Sequence, residues 1–267
     1  MTGTKDVHET TGTGDDEMTV LVPVQVLEGE QVPAALIDVL TSVRVVLLGY
    51  HTIPDQTAPE QARTEFGEQA RSELSDLVTA FRDAGGTVEA RFVFTRDPTQ
   101  TFERVADDEG TDAILLLNPA PSVDRIFVAL SEGINRERIT TLAAMLARDS
   151  EVTITLVHVA SSEEERANGE QLLDEAAELL VEKGMTATSI DRQVTVSEAP
   201  VKTITEAASD DTDLVLLGES RPSVRELVFG EPSERIAEHA LAPVLVVRRL
   251  PVLTTGDDES DAPDDES

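Results

Sequence analysis

Asp213-Leu214-Val215-Leu216-Leu217-Gly218 and Pro243-Val244-Leu245-Val246-Val247 are two short apolar runs, and the segment between them decides how the chain is read. Each run suits a strand buried on both faces of a parallel sheet. Gly218 breaks the first run, a loop and short helix reach Gly230, and a second helix begins near Ser233. A strand ending in a glycine-bearing loop that feeds a helix is where parallel α/β proteins hold phosphates, because loop amides and the helix N-terminus converge there.

Outward from this stretch, apolar strand-like and amphipathic helix-like segments alternate, which predicts a parallel sheet covered by helices. Strands are expected at Thr19–Val24, Val43–Gly49, 87–95, Asp112–Leu117, Arg125–Leu130, Val152–Val159 and 186–196. Helices are expected at 32–41, Ala58–Ala84, 98–109, Glu137–Ala147, Glu163–Lys183 and 200–209. Gly85-Gly86 and Gly184 supply the left-handed ends of the two long helices. Ser162 and Glu165 have capping-box spacing at the start of the second.

The pattern repeats after roughly 105 residues. His51 and His158 both fall at the end of the second strand of their halves, and Thr111-Asp112 matches Thr212-Asp213 before an apolar strand. Nothing after Asn118 corresponds to Gly218 through Val247. The fold class is therefore α/β, with two repeated open parallel β-sheet units and flanking helices. A four-strand unit occupies 18–121 and a five-strand unit 122–250, between polar, acidic tails at 1–17 and 251–267 whose composition cannot offset the cost of ordering.

Across 267 residues, 53 acidic side chains face 21 basic ones, for a formal net charge of -32. Such a surface repels nucleic acid and anionic lipid. The acid is spread over helices, loops and tails rather than blocked, which favours a very salty cytoplasm over one cationic partner as its cause. With no cysteine, disulfides, thiol catalysis and thiolate metal sites are excluded. No run approaches the roughly 20 apolar residues of a membrane span, so direct membrane insertion is not expected and the expected location is the cytoplasm. No nucleophile motif, P-loop lysine or metal-ligand spacing is present, and no catalytic or metal-binding residue is assigned.

The second half resembles the universal stress protein family through Ile126-Phe127-Val128-Ala129-Leu130, Leu156-Val157-His158-Val159, Asp213 to Gly218, Gly230-Glu231-Pro232-Ser233-Glu234-Arg235-Ile236 and Ala242 to Arg248. The first half resembles it through Val20-Leu21-Val22-Pro23-Val24 and Asp112-Ala113-Ile114-Leu115-Leu116. The resemblance implies a tandem member of a Rossmann-like, adenine-nucleotide alpha-hydrolase-like fold from a halophilic archaeon. It further implies dimers through the last strand and a role in stress survival or in regulating partner proteins.

Some members of that family bind ATP through Gly, two residues, Gly, nine residues, Gly and a Ser or Thr. Here Gly218 fits the first position, but Arg221 replaces the second glycine, only eight residues separate it from Gly230, and Glu231 follows. Losing that glycine restricts the close backbone approach a phosphate needs, and Glu231 adds like-charge repulsion. The acidic residue often found at the end of the first strand is Gln25 in one half and Ser131 in the other. The remaining candidates for holding a nucleotide or smaller anion are Gly218, Ser220, Arg221, Arg225, Gly230 and Ser233. Structural uses compete with them: a turn and a cap for the glycines, N-caps for the serines, ion pairs for the arginines.

The expectation is a non-catalytic regulatory or stress-response module without a cofactor. Alternatives are an adenine-nucleotide sensor or weak ATPase using the 218–233 loop, and a soluble regulator of a membrane transporter. If Pro243–Val247 lies at a sheet edge, it offers a homodimer interface.

Overall fold

The computed structural model describes residues 17–148, 151–208, 211–218 and 242–249. The first half runs β1 (Thr19–Gln25), α1 (Ala34–Leu40), β2 (Arg44–Thr52), α2 (Pro59–Asp83), β3 (Thr87–Thr95), α3 (Pro98–Asp108) and β4 (Ala113–Leu116). The second runs β5 (Arg125–Ala129), α4 (Arg136–Leu146), β6 (Thr153–Ala160), α5 (Arg166–Glu182), β7 (Ile190–Val196), α6 (Pro200–Ala207), β8 (Leu214–Gly218) and β9 (Val244–Val247).

The strands form because their sequences can be dry on both faces: Val20, Leu21, Val22 and Val24 of β1 are all fully buried. α2 opens on Pro59 and closes where Gly85 takes φ 92°, which lets the Gly86 N–H donate to the Phe81 carbonyl at 2.9 Å. Three expected boundaries move by three residues or more, and the first is β2, which runs on to Thr52 instead of stopping at Gly49. β7 begins at Ile190 because Ala187–Ser189 form a short 3-10 turn. α5 begins at Arg166, since the Glu165 carboxylate turns back to the N–H and hydroxyl of Ser161, not to Ser162. Among the described residues no helix is long and apolar enough to cross a membrane.

All nine strands among the described residues join one sheet in the order β3-β2-β1-β4-β9-β8-β5-β6-β7. Every neighbouring pair is parallel except β4 with β9, which run antiparallel with Ala113 opposite Val247 and Leu116 opposite Val244. This corrects the edge-strand expectation for Pro243–Val247. β9 is bonded to β8 on one side and β4 on the other, so its backbone has no free edge on which a second copy could pair.

The sheet separates a larger core layer from smaller ones. Apolar residues of α1, α2, α4 and α5 pack with alternate strand residues from both halves, including Val22, Val128, Leu216 and Leu245, in one continuous cluster. On the opposite face α3 covers Leu21, Val46 and Ile114, and α6 packs against the cluster of Phe127, Val215 and Val246.

The two repeated aspartates have the same backbone task. Asp213 accepts from the N–H groups of Asp124 and Arg125 at 2.9 Å, and Asp112 accepts from the Thr19 N–H at 2.6 Å, so each ties the start of one central strand to the next. Asp112 also pairs with Arg138 of α4, and Arg248 beyond β9 pairs with Asp107 of α3. The halves are thus pinned by charge beside the β4–β9 seam.

Candidate functional site

From β5 the chain moves outward to β6 and β7, then returns to β8 on the other side of β5, so the carboxyl ends of β5 and β8 flank a topological switch point. Gly218 is the last residue of β8 there. The facing loop turns through Gly133 at φ 85°, and Asn135 then caps α4 by accepting from the Arg138 N–H at 3.1 Å. Between those two points the loop delivers Ile134. A Cβ at position 218 would lie 2.5 Å from Ile134 Cγ2 and 2.9 Å from its Cδ1. The space that a glycine leaves for a ligand is therefore taken by an apolar side chain of the same chain. Of the sequence candidates, only Gly218 falls among the described residues; Ser220, Arg221, Arg225, Gly230 and Ser233 lie outside them.

His158 sits beside the same loop. Its Nδ1 is 2.9 Å from the Leu130 carbonyl, and because a carbonyl only accepts, Nδ1 carries the proton. Gly169 of α5 backs the ring so closely that a Cβ there would lie 2.5 Å from His158 Cδ2. Gly169→Ala is expected to push the ring off Leu130 and cost about 1–3 kcal/mol, read from the urea midpoint at constant salt. His51, at the matching position, makes no such bond: its Nδ1 is buried without a partner among the described residues, and its ring stands edge-on to Phe94 at 6.0 Å. The two histidines share a place and a packing role but not a hydrogen bond.

The equivalent end of β1 is filled differently. The Gln25 N–H donates to the Glu30 carboxylate, and the Leu27 N–H donates at 2.7 Å to Glu73 of α2, whose second oxygen accepts from Gln69 at 3.0 Å. Leu27 takes φ 73°, a left-handed conformation that costs a branched side chain energy and is held by these bonds. Desolvation raises Glu30 above the ordinary carboxylate range, the Gln25 N–H opposes that shift, and Glu28 adds to it. Two loop amides that an external anion would need are therefore engaged by internal carboxylates.

A cavity of about 650 Å³ is lined by the β5–α4 loop, the first turn of α4 and the flank of α5. Arg136, Arg138 and Arg249 line it with Glu132 and Glu175; Ser131 and Gln171 add neutral polar groups. Arg136 pairs with Glu175, both about 40% exposed, with side-chain exposures of 39% and 41%. Glu175 is held below the ordinary carboxylate range, first by the Gln171 amide and then by the charge of Arg136. Arg138 is more deeply set, at 16% side-chain exposure, and its Nε is buried without a hydrogen-bond partner among the described residues. Burial and then the neighbouring Arg248 lower its pKa. Sequence reading missed Ile134, Glu30, Glu73 and this arginine group, because each acts across the fold rather than within a local motif.

Residues 122–248 match the model of the Universal stress protein family. A search of curated proteins finds no match. Among solved structures, the chain is similar to a universal stress protein from Archaeoglobus fulgidus, at 17% identity and a TM-score of 0.60 over 90% of this chain and 97% of that one. It is also similar to a putative universal stress protein from Pseudomonas aeruginosa, at 15% identity and 0.50 over 87% and 93%. The cytoplasmic domain of a prokaryotic cation chloride cotransporter aligns at 15% identity and 0.50 over 86% and 95%. At these identities the likeness concerns the fold, an open and mostly parallel sheet with flanking helices.

Proposed function

We propose that the chain is a non-catalytic regulatory module of the stress-response kind, with no resident nucleotide, working in a salty cytoplasm. In this reading residues 18–121 form a second domain of the same type that lacks its own fifth strand, and β9 is shared by both halves of the one sheet. The observation that carries the proposal is Ile134 packed against Gly218, where a phosphate-binding site needs an open backbone. The internal carboxylates on the loop after β1 support it for the other half.

The test is turnover. Purified protein incubated with Mg-ATP in molar KCl is expected to release no phosphate above the protein-free rate. Sustained release proportional to protein concentration contradicts the proposal and favours the weak-ATPase alternative.

The likeness to a cotransporter's cytoplasmic domain over 86% of this chain supports a second reading, a soluble regulator of a membrane transporter. Cross-linking in intact cells with identification of the bound proteins separates the two. Recovery of a transporter supports the second reading, and exclusively soluble partners count against it.

A further inference from the structure

We propose that the outer edge of β3 is a two-fold interface on which a second copy of this chain pairs antiparallel, centred on Ala90, so that the two sheets run on as one. The proposal concerns assembly and does not depend on whether the module binds a nucleotide.

β3 and β7 end the sheet, so each leaves a row of backbone N–H and C=O groups with no strand beside it among the described residues. β3 is the longer edge. Thr87–Thr95 pairs one-to-one with β2 without a bulge, and it holds neither proline nor lysine, the usual guards of an edge. The side its groups face follows from one bond. The Ile53 N–H donates to the Thr95 carbonyl at 2.9 Å, so Thr95 turns towards β2, and alternation along the strand turns Arg91 and Glu89 the same way. Val88, Ala90 and Phe92 therefore direct their backbone groups outward. A two-fold axis at Ala90 sets Ala90 opposite itself and Val88 opposite Phe92, all at hydrogen-bonding positions. It sets Glu89 opposite Arg91, twice, at the intervening positions where side chains of paired strands approach most closely. Moving the axis one residue either way opposes Glu89 to Glu89 or Arg91 to Arg91. The edge thus carries its charges in the order that a copy of itself can match. β7 does not: the Ser197 N–H donates to the Ala160 carbonyl at 2.9 Å, so Asp191 faces β6 and Arg192 faces outward, and no two-fold register opposes them. Existing contacts at β3 exchange readily. Arg91 holds Glu109 at 2.8 Å and Glu89 at 3.3 Å and donates to the Ala90 carbonyl at 3.1 Å, but its side chain is 46% exposed and such pairs are weak in water. Phe92, half-buried and edge-on to Phe94 at 4.8 Å, adds an aromatic surface for the second copy to cover. High salt screens the net charge of -32 that keeps two copies apart.

Sedimentation velocity of the full-length protein over a concentration series in constant molar KCl is the test. A concentration-dependent dimer is expected. Glu89→Arg and Arg91→Glu are each expected to raise the dissociation constant at least about tenfold, by setting like charges opposite each other at two places. An equimolar mixture of the two variants is expected to form the dimer again, because each chain then faces the opposite charge at both places, an outcome that misfolded variants cannot give. Ala90→Pro removes an outward N–H without touching the bonds to β2 and is expected to give a monomer with the wild-type circular dichroism spectrum. A wild type that stays monomeric overturns the proposal and leaves the edge to a strand of a different protein. A dimer that survives Ala90→Pro, or charge variants that stay apart when mixed, overturns it by placing the contact elsewhere.

Discussion

Asp112→Ala is expected to lower the unfolding free energy by about 3–5 kcal/mol, the range for removing one member of a buried ion pair. Asp112 has a side-chain exposure of 12% and serves two donors at once, the Thr19 N–H and the Arg138 guanidinium. Removing it strands a charge at 16% exposure together with an amide at the start of a central strand. Among the described residues its counterpart Asp213 bonds only backbone amides, so Asp213→Ala is expected to cost about 1 kcal/mol. Urea titration at fixed KCl gives both values, and urea is needed because guanidinium would alter ionic strength along the titration. Equal costs at the two sites would show that the Arg138 contact adds nothing.

Leu245→Pro is expected to abolish the single cooperative fold. Leu245 has no exposed surface and lies at the middle of β9, opposite Leu115 of β4 and Leu216 of β8. Proline removes a ladder hydrogen bond at a cost of about 3 kcal/mol or more. Losing the buried leucine adds roughly 2–5 kcal/mol on the scale of large-to-small core changes, though the two do not simply add. Because β9 is the only strand among the described residues bonded to both β4 and β8, the damage separates the halves rather than fraying an edge. The expected result is an unfolded chain, or two separate weak transitions in place of one. A variant with the wild-type midpoint would contradict the placement of β9 at the seam.

Much of this fold is legible in the sequence for a physical reason. Strands such as Val20-Leu21-Val22 and Leu214-Val215-Leu216 are buried on both faces, so they appear as unbroken apolar runs, and Gly85 and Gly184 mark helix ends because both take left-handed angles. Strand neighbours are another matter. The pairing of Ala113 with Val247 spans more than half the chain, and no local pattern distinguishes an edge strand from one shared between two parallel groups. The capping-box spacing of Ser162 and Glu165 is offset by one residue in the fold, because the Glu165 carboxylate reaches Ser161 and α5 starts after it with no side-chain cap bond.

The site was less legible than the fold. A glycine at the end of β8 has the same appearance whether it admits a phosphate or an isoleucine, and Ile134 in Glu132-Gly133-Ile134-Asn135 reads as an ordinary loop residue. Its role exists only once the loop after β5 lies over β8. The same holds for Glu73, which reaches the Leu27 amide across 46 positions, and for Arg138, which meets Asp112 of the other half.

The most direct test of the closed crevice is hydrogen exchange of the full-length protein with and without millimolar Mg-ATP, read on peptides covering 218–233 and on those covering 131–138. The account predicts no ATP-dependent slowing over either stretch. Clear protection of 218–233 would contradict it and make that loop a nucleotide site.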